Sequence, residues 1–130
     1  MTSLRKIPLS LIVPCKNEEN NLRHCLESVE WIDEVFVVDS KSKDGTEKIA
    51  LEFGAKVVQF EYSGGWPKKK NWALENLAFS NDWVLILDAD ECLPPEAEKE
   101  INKIVSDPNP EHDGYWINRR YFFLGKALKH

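Results

Sequence analysis

No run in this sequence is apolar for long enough to cross a bilayer. Stretches such as Val84–Leu87 fall far short of the roughly 18–20 residues that a membrane helix needs. Cysteine is scarce: Cys15, Cys25 and Cys92 are odd in number and show no CxxC spacing, which excludes the common zinc and disulfide frameworks and suits a reducing, cytoplasmic setting. Positive charge is in deficit, with 17 Lys and Arg against 22 Asp and Glu. A general nucleic-acid binder needs a basic face to displace phosphate counterions, so no nucleic acid is expected as a partner. Neither G-x-x-x-x-G-K-[ST] nor G-x-G-x-x-G occurs, which removes a P-loop NTPase and a conventional dinucleotide dehydrogenase. Arg5 and Lys6 precede the apolar Ile7–Val13, but Pro8 breaks that stretch and no small-residue cleavage site follows, so it reads as a strand and not as a signal. What is there, in 130 residues that are 42% hydrophobic and 30% charged, is the composition of one globular domain.

Apolar residues recur with two alternating periods. Leu9–Val13 reads as a strand closed by Pro14. Asn17 is placed to cap a helix over 18–30, with Glu18 and Glu19 in its first turn and Leu22, Cys25, Leu26 and Val29 facing inward. Glu34–Val38 is a second strand. Asp44-Gly45-Thr46-Glu47 has the spacing of a capping box for a second helix, which buries Ile49 and Phe53 and ends at Gly54. Lys56–Phe60 is a third strand, Ser63-Gly64-Gly65 a loop, and 68–79 a third helix with Ala73, Leu74, Leu77 and Ala78 inward. Asp82–Leu87 is a fourth strand. Pro94 or Pro95 opens a fourth helix with Ala97, Ile101, Ile104 and Val105 inward, and Tyr115–Phe123 reads as one final strand. Strands that alternate with helices, several of them apolar on both faces, predict an α/β fold: a doubly wound, mainly parallel sheet with flanking helices.

Ligands of such sheets bind beyond the carboxyl ends of the strands, where strand order reverses. Those ends are polar here: Pro14-Cys15-Lys16-Asn17-Glu18, Asp39-Ser40-Lys41-Ser42-Lys43-Asp44-Gly45 and Asp88-Ala89-Asp90-Glu91. Asp88 and Asp90, two apart, project to one side of an extended segment. Two carboxylates ~5 Å apart repel by roughly 3 kcal/mol at an effective dielectric near 20. A raised pKa, a basic side chain or a divalent cation must offset that, and hard oxygen ligands suit Mg2+ or Mn2+ shared with substrate phosphates. The alternative is that both aspartates only cap the turn before the Pro94-Pro95 helix. Charge is also uneven: ten acidic residues lie between Asp82 and Asp113 against Lys99 and Lys103, whereas Arg119, Arg120, Lys126 and Lys129 follow Tyr115. Most of these, like Lys68 and Lys69, read as solvated surface, although the Lys68-Lys69-Lys70 run also suits phosphates or the anionic inner face of a membrane.

Together the motifs resemble family 2 glycosyltransferases of the GT-A fold, and within them the bacterial subgroup of lipopolysaccharide-core glucosyltransferases. The matching segments are Leu11–Glu19, Val37-Val38-Asp39-Ser40 with Ser42–Thr46, Lys70–Leu74, Asp82–Glu91 and Arg119–Gly125. The resemblance implies a hexosyl transfer, metal-assisted and inverting, from a nucleotide-sugar donor of the UDP-sugar kind to a glycan or lipid-linked acceptor of the cell envelope. It implies that Asp39 accepts a hydrogen bond from uracil, and that Pro14, Lys16, Asn17 and Glu18 line the base and ribose. It also implies that Lys70 and Asn71 come close to the nucleotide, that Asp88 lies towards the ribose and metal shell, and that Asp90 ligates Mg2+ or Mn2+.

Two departures matter. Lys16 stands where many members have an aromatic residue. Family catalytic domains also continue for about another hundred residues, with the acceptor site and the general base. No residue here matches that base, and His112 and His130 read as loop and chain-end residues. The expectation is a single nucleotide-sugar-binding domain over 1–130, truncated before the acceptor region, with an uncovered sheet surface open to self-association. Two other readings stay open: a nucleotide-sugar-binding module without chemistry and, less favoured, a phosphatase of the haloacid-dehalogenase type, whose Asp-x-Asp sits nearer the N-terminus.

Overall fold

The computed structural model describes residues 6–61, 69–107, 114–117 and 122–126, with Lys70 and the last two stretches as backbone only. The elements are β1 (Ile7–Cys15), α1 (Glu19–Glu27), β2 (Ile32–Asp39), α2 (Thr46–Glu52), β3 (Lys56–Gln59), α3 (Lys69–Asn76), β4 (Trp83–Ile86), α4 (Pro95–Val105), β5 (Gly114–Ile117) and β6 (Phe122–Lys126). One six-stranded sheet has the order β3-β2-β1-β4-β6-β5. β1 pairs in parallel with both β2 and β4, and β2 with β3. The chain winds outward from β1 to β3 and then crosses to the other side of β1 to lay down β4, so strand order reverses between β1 and β4. The doubly wound α/β expectation holds for this parallel part.

Burial on both faces explains why the parallel strands are so apolar. Leu11, Val13 and Leu85 face α1, α2 and α4, where Leu22, Cys25, Leu26, Val29, Ala50, Ala97 and Ile101 complete one core. Ile12, Val38, Val84 and Ile86 face the other way, against Ala73 of α3 and the half-buried Trp72 and Leu77. Each fully buried Leu or Val contributes about 1.5–3 kcal/mol. Pro8, which lacks a strand donor, is tolerated because the β1–β2 register shifts between Ile7 and Ser10, leaving Pro8 in the irregularity. Gly54 follows α2 at φ +77, a left-handed turn that only glycine adopts without strain.

Several local expectations differ from the structure. Asn17 does not cap α1: Glu18 is the N-cap residue, without a side-chain cap bond. Asn17 takes φ +52 and its Oδ1 accepts the Lys43 amide at 2.8 Å, so a long-range bond wins over the local cap. The capping box of α2 is also absent. Asp44 Oδ1 accepts the Thr46 amide, while the first turns of α1 and α2 cap each other, Glu19 N–H on Asp44 Oδ2 at 3.3 Å and Gly45 N–H on Glu19 Oε2 at 3.1 Å. The third helix ends at Asn76: Ala73 on it is buried and Leu74 is 40% exposed, while Leu77, half buried, and Ala78, exposed, lie past its end. The single strand over Tyr115–Phe123 is two, β5 and β6, which pair antiparallel with each other while β6 pairs antiparallel with β4. The 63–65 loop, Lys68, His112, Arg119, Arg120, Lys129 and His130 lie outside the described residues.

Candidate functional site

The reversal between β1 and β4 opens a cavity of about 690 Å³ at the carboxyl ends of both strands. Three segments line it: Pro14, Cys15, Lys16 and Glu18 after β1, Lys69 and Asn71 from the start of α3, and Asp88, Ala89 and Asp90 after β4. Six of the sequence-predicted residues thus come together: Pro14, Lys16, Glu18, Asn71, Asp88 and Asp90. A second cavity, of about 640 Å³, lies at the opposite end of the sheet beside Val29, Val35 and Phe53, and brings none of them together.

The carboxylates converge by a turn and not by strand alternation. β4 ends at Ile86, and the Glu91 amide donates to the Asp88 carbonyl at 2.9 Å, closing a four-residue turn. Glu91 folds back so that its Oε1 accepts the Asp88 amide at 3.2 Å. In consequence Asp88, Asp90 and Glu91 each present a carboxylate oxygen within 4.8 Å of the others, Asp90 exposed and the other two half buried. This set, all hard oxygen, fits a divalent cation such as Mg2+ or Mn2+. The buried Cys25 thiol supports the turn from behind, with Sγ 3.8 Å from the Asp88 carbonyl.

The same cavity is lined by a cation that the sequence offered only within a run of three lysines and that read as solvated surface. Lys69 is half buried and its Nζ donates to the Cys15 carbonyl at 2.8 Å. Burial lowers its pKa, Asp39 pulls it back up, and Lys16 lowers it further. The signal was available: Lys69 opens α3, and the start of that helix faces the end of β1.

Asp39 and Asn17 stand behind the wall. Asp39, at the end of β2, is 1% exposed. Its Oδ2 accepts the Ser42 amide at 3.0 Å and Gln59 Nε2–H at 2.9 Å, and its Oδ1 accepts the Ser42 hydroxyl. Asn17 donates its amide to Ser42 Oγ at 2.7 Å, which stitches the β1–α1 loop to the β2–α2 loop. Thr46 adds a second stitch, accepting the Glu18 amide at 2.9 Å. The Lys70 side chain lies outside the described residues.

Comparison with known proteins agrees with this arrangement. The family model described as glycosyl transferase family 2 matches residues 10–129. The chain is 34% identical over 132 residues to the lipopolysaccharide core biosynthesis glycosyltransferase LpsC of Rhizobium meliloti, covering 92% of this chain and 45% of that protein. It spans less than half the length of the curated relatives it matches. Staphylococcus aureus TarS superposes with a TM-score of 0.63 at 31% identity, over 77% of this chain and 32% of that one. Glucosyl-3-phosphoglycerate synthase of Mycobacterium tuberculosis, in complex with Mn2+, UDP and phosphoglyceric acid, superposes with a TM-score of 0.54 at 28% identity, over 69% of this chain and 34% of that one. From the fold, the strand-end cavity and these matches together, the chain belongs to glycosyl transferase family 2, with the GT-A fold.

Proposed function

We propose that these residues bind the donor of a glycosyltransferase that takes a UDP-sugar together with Mg2+ or Mn2+ and passes the sugar, with inversion, to a glycan or lipid-linked acceptor of the cell envelope. The observation that carries the reading is the meeting of Asp88, Asp90 and Glu91 with Lys69 across one strand-end cavity. A nucleoside diphosphate-sugar presents two phosphates, and a cavity with a carboxylate corner on one side and an ammonium on the other suits a metal-bridged diphosphate. Asp88 and Asp90, with Glu91 beside them, would hold the cation, which when bound stabilises the charge that develops on the leaving diphosphate. Pro14, Lys16 and Glu18 line the base and ribose end, Asn71 closes the cavity from α3, and Asp39 reads the base. Similarity supports the donor class, since the mycobacterial synthase was crystallised with UDP and either Mn2+ or Mg2+. Similarity to LpsC supports the acceptor class.

Calorimetry tests the reading directly. UDP should bind more tightly with Mn2+ than with a chelator, and Asp90→Ala should abolish that gain while circular dichroism stays unchanged. An affinity for UDP that a chelator does not alter would show the carboxylates to be structural.

A further inference from the structure

We propose that Glu91 is a positioning residue for the cation and not one of its ligands: bonded to the Asp88 amide, its carboxylate locks the turn that holds Asp88 and Asp90 together. The inference rests on the metal and donor reading above and deepens it.

The Leu87 amide still donates to the Ile12 carbonyl at 3.1 Å, but β4 itself ends at Ile86. From Asp88 onwards strand alternation no longer decides where the aspartates point, and the turn over 88–91 decides instead. That turn is closed twice between the same two residues. The Glu91 amide donates to the Asp88 carbonyl at 2.9 Å, and Glu91 Oε1 accepts the Asp88 amide at 3.2 Å. A backbone bond alone leaves the first peptide of a turn free to tilt, and the returning side chain removes that freedom. Cys25 Sγ, 3.8 Å from the Asp88 carbonyl, meets the turn from the core. Side chains thus engage Asp88 at both its amide and its carbonyl.

This hold matters because the groups it brings together repel. Asp88, Asp90 and Glu91 offer carboxylate oxygens within 4.8 Å of one another. In a loose turn the two aspartates would swing apart, and a cation would have to gather them at an entropic cost. Of the three, Asp88 and Asp90 line the strand-end cavity, where the phosphates of a donor would share the cation. Glu91 has its carboxylate turned back to the Asp88 amide. Ligation would draw it off that amide and loosen the turn on which the two ligands depend.

Two substitutions separate reach from charge. Glu91→Gln keeps an acceptor at the same reach and removes the charge, whereas Glu91→Asp keeps the charge but is one methylene short of the amide. Calorimetry of UDP, with Mn2+ and with a chelator, gives the gain in affinity that the metal confers, and thermal melting is followed beside it. That gain should fall by about tenfold or more in Glu91→Ala and Glu91→Asp, the usual effect of removing a group that orients metal ligands. Glu91→Gln should restore most of it. If the alanine variant fails to fold, the comparison of Gln with Asp decides alone. A gain no larger in Glu91→Gln than in Glu91→Asp, whatever happens to the melting temperature, would overturn the positioning role. A wild-type chain in which Mn2+ confers no gain would instead overturn the metal reading itself.

Discussion

The Lys69 ammonium has three N–H donors, and the Cys15 carbonyl accepts one of them. Lys69 lines the cavity, where a bound diphosphate would meet the others. Lys69→Met, which keeps the stem and removes the charge, should weaken UDP binding by roughly tenfold or more and leave uridine binding little changed, because an ion-to-phosphate hydrogen bond contributes about 1.5–3 kcal/mol. Calorimetry with both ligands checks it; equal losses would mean that Lys69 only shapes the wall. At Asp39, replacement by Ala should cost about 1.5–3 kcal/mol of UDP affinity and erase the preference over the adenine and guanine diphosphates. Equal affinities for all three in the wild-type chain would refute the assignment. Asp88 and Asp90 were legible as cavity residues because they follow an apolar strand, and strand ends are where polar residues have a reason to be, whereas Asp39, also at a strand end, lies behind the cavity wall. Lys69 was not, because one of three adjacent lysines is singled out only by the helix start that aims it. Asn17 misled for a related reason: its partners, Ser42 and Lys43, lie on another loop and only the fold brings them together.

Glu34 shows what the strands need at the end away from the cavity. It is buried in β2 and accepts Ser10 Oγ–H from β1 at 2.7 Å, Lys56 Nζ–H from β3 at 2.7 Å, and both the amide and the hydroxyl of Ser80 ahead of β4, each at 2.9 Å. One carboxylate thus ties the parallel strands together. Burial pushes its pKa up, but Lys56, the Ser80 amide and the Ser10 and Ser80 hydroxyls outweigh that and hold it at about 2, against an ordinary 4.5. The ionised form is therefore favoured in the folded chain, and its contribution is full above about pH 5. It should fade as pH falls from 4.5 towards 2, on the order of 3 kcal/mol in all. Glu34→Gln should lower the melting temperature at pH 7 and flatten its dependence on pH over that acid range; a parent and variant with parallel acid curves would deny Glu34 this role. The parallel strands were readable from apolar runs with β-branched residues. The β5–β6 pair was not, because Asn118-Arg119-Arg120, between two aromatic clusters, holds no Gly or Pro to mark the reversal, and Glu34, a charge inside a strand, carries no sign of its four donors.

Taken whole, these residues provide a strand-end cavity and a core, and span less than half the length of the curated relatives they match. The acidic side chains of α4, Glu96, Glu98 and Glu100, are exposed, opposite the buried Ala97 and Ile101, as their spacing in the sequence predicts. We expect the 130 residues to bind UDP-sugar with metal and transfer to occur only in a longer protein that adds an acceptor surface; glycosyl transfer by this chain at enzymatic rates would refute that. The reversal of strand order has a mechanical side as well. β1 and β2 are paired from Ser10–Glu34 to Cys15–Asp39, whereas β1 and β4 meet only from Ser10–Val84 to Ile12–Ile86. The sheet is narrowest in its pairing where the cavity opens. A donor lying across that opening, its base held on the β2 side and its diphosphate on the β4 side, would act as a suture over the weakest seam. Amide hydrogens of β4 should therefore exchange with solvent more slowly when UDP and Mn2+ are bound, and those of β2 and β3 should change far less.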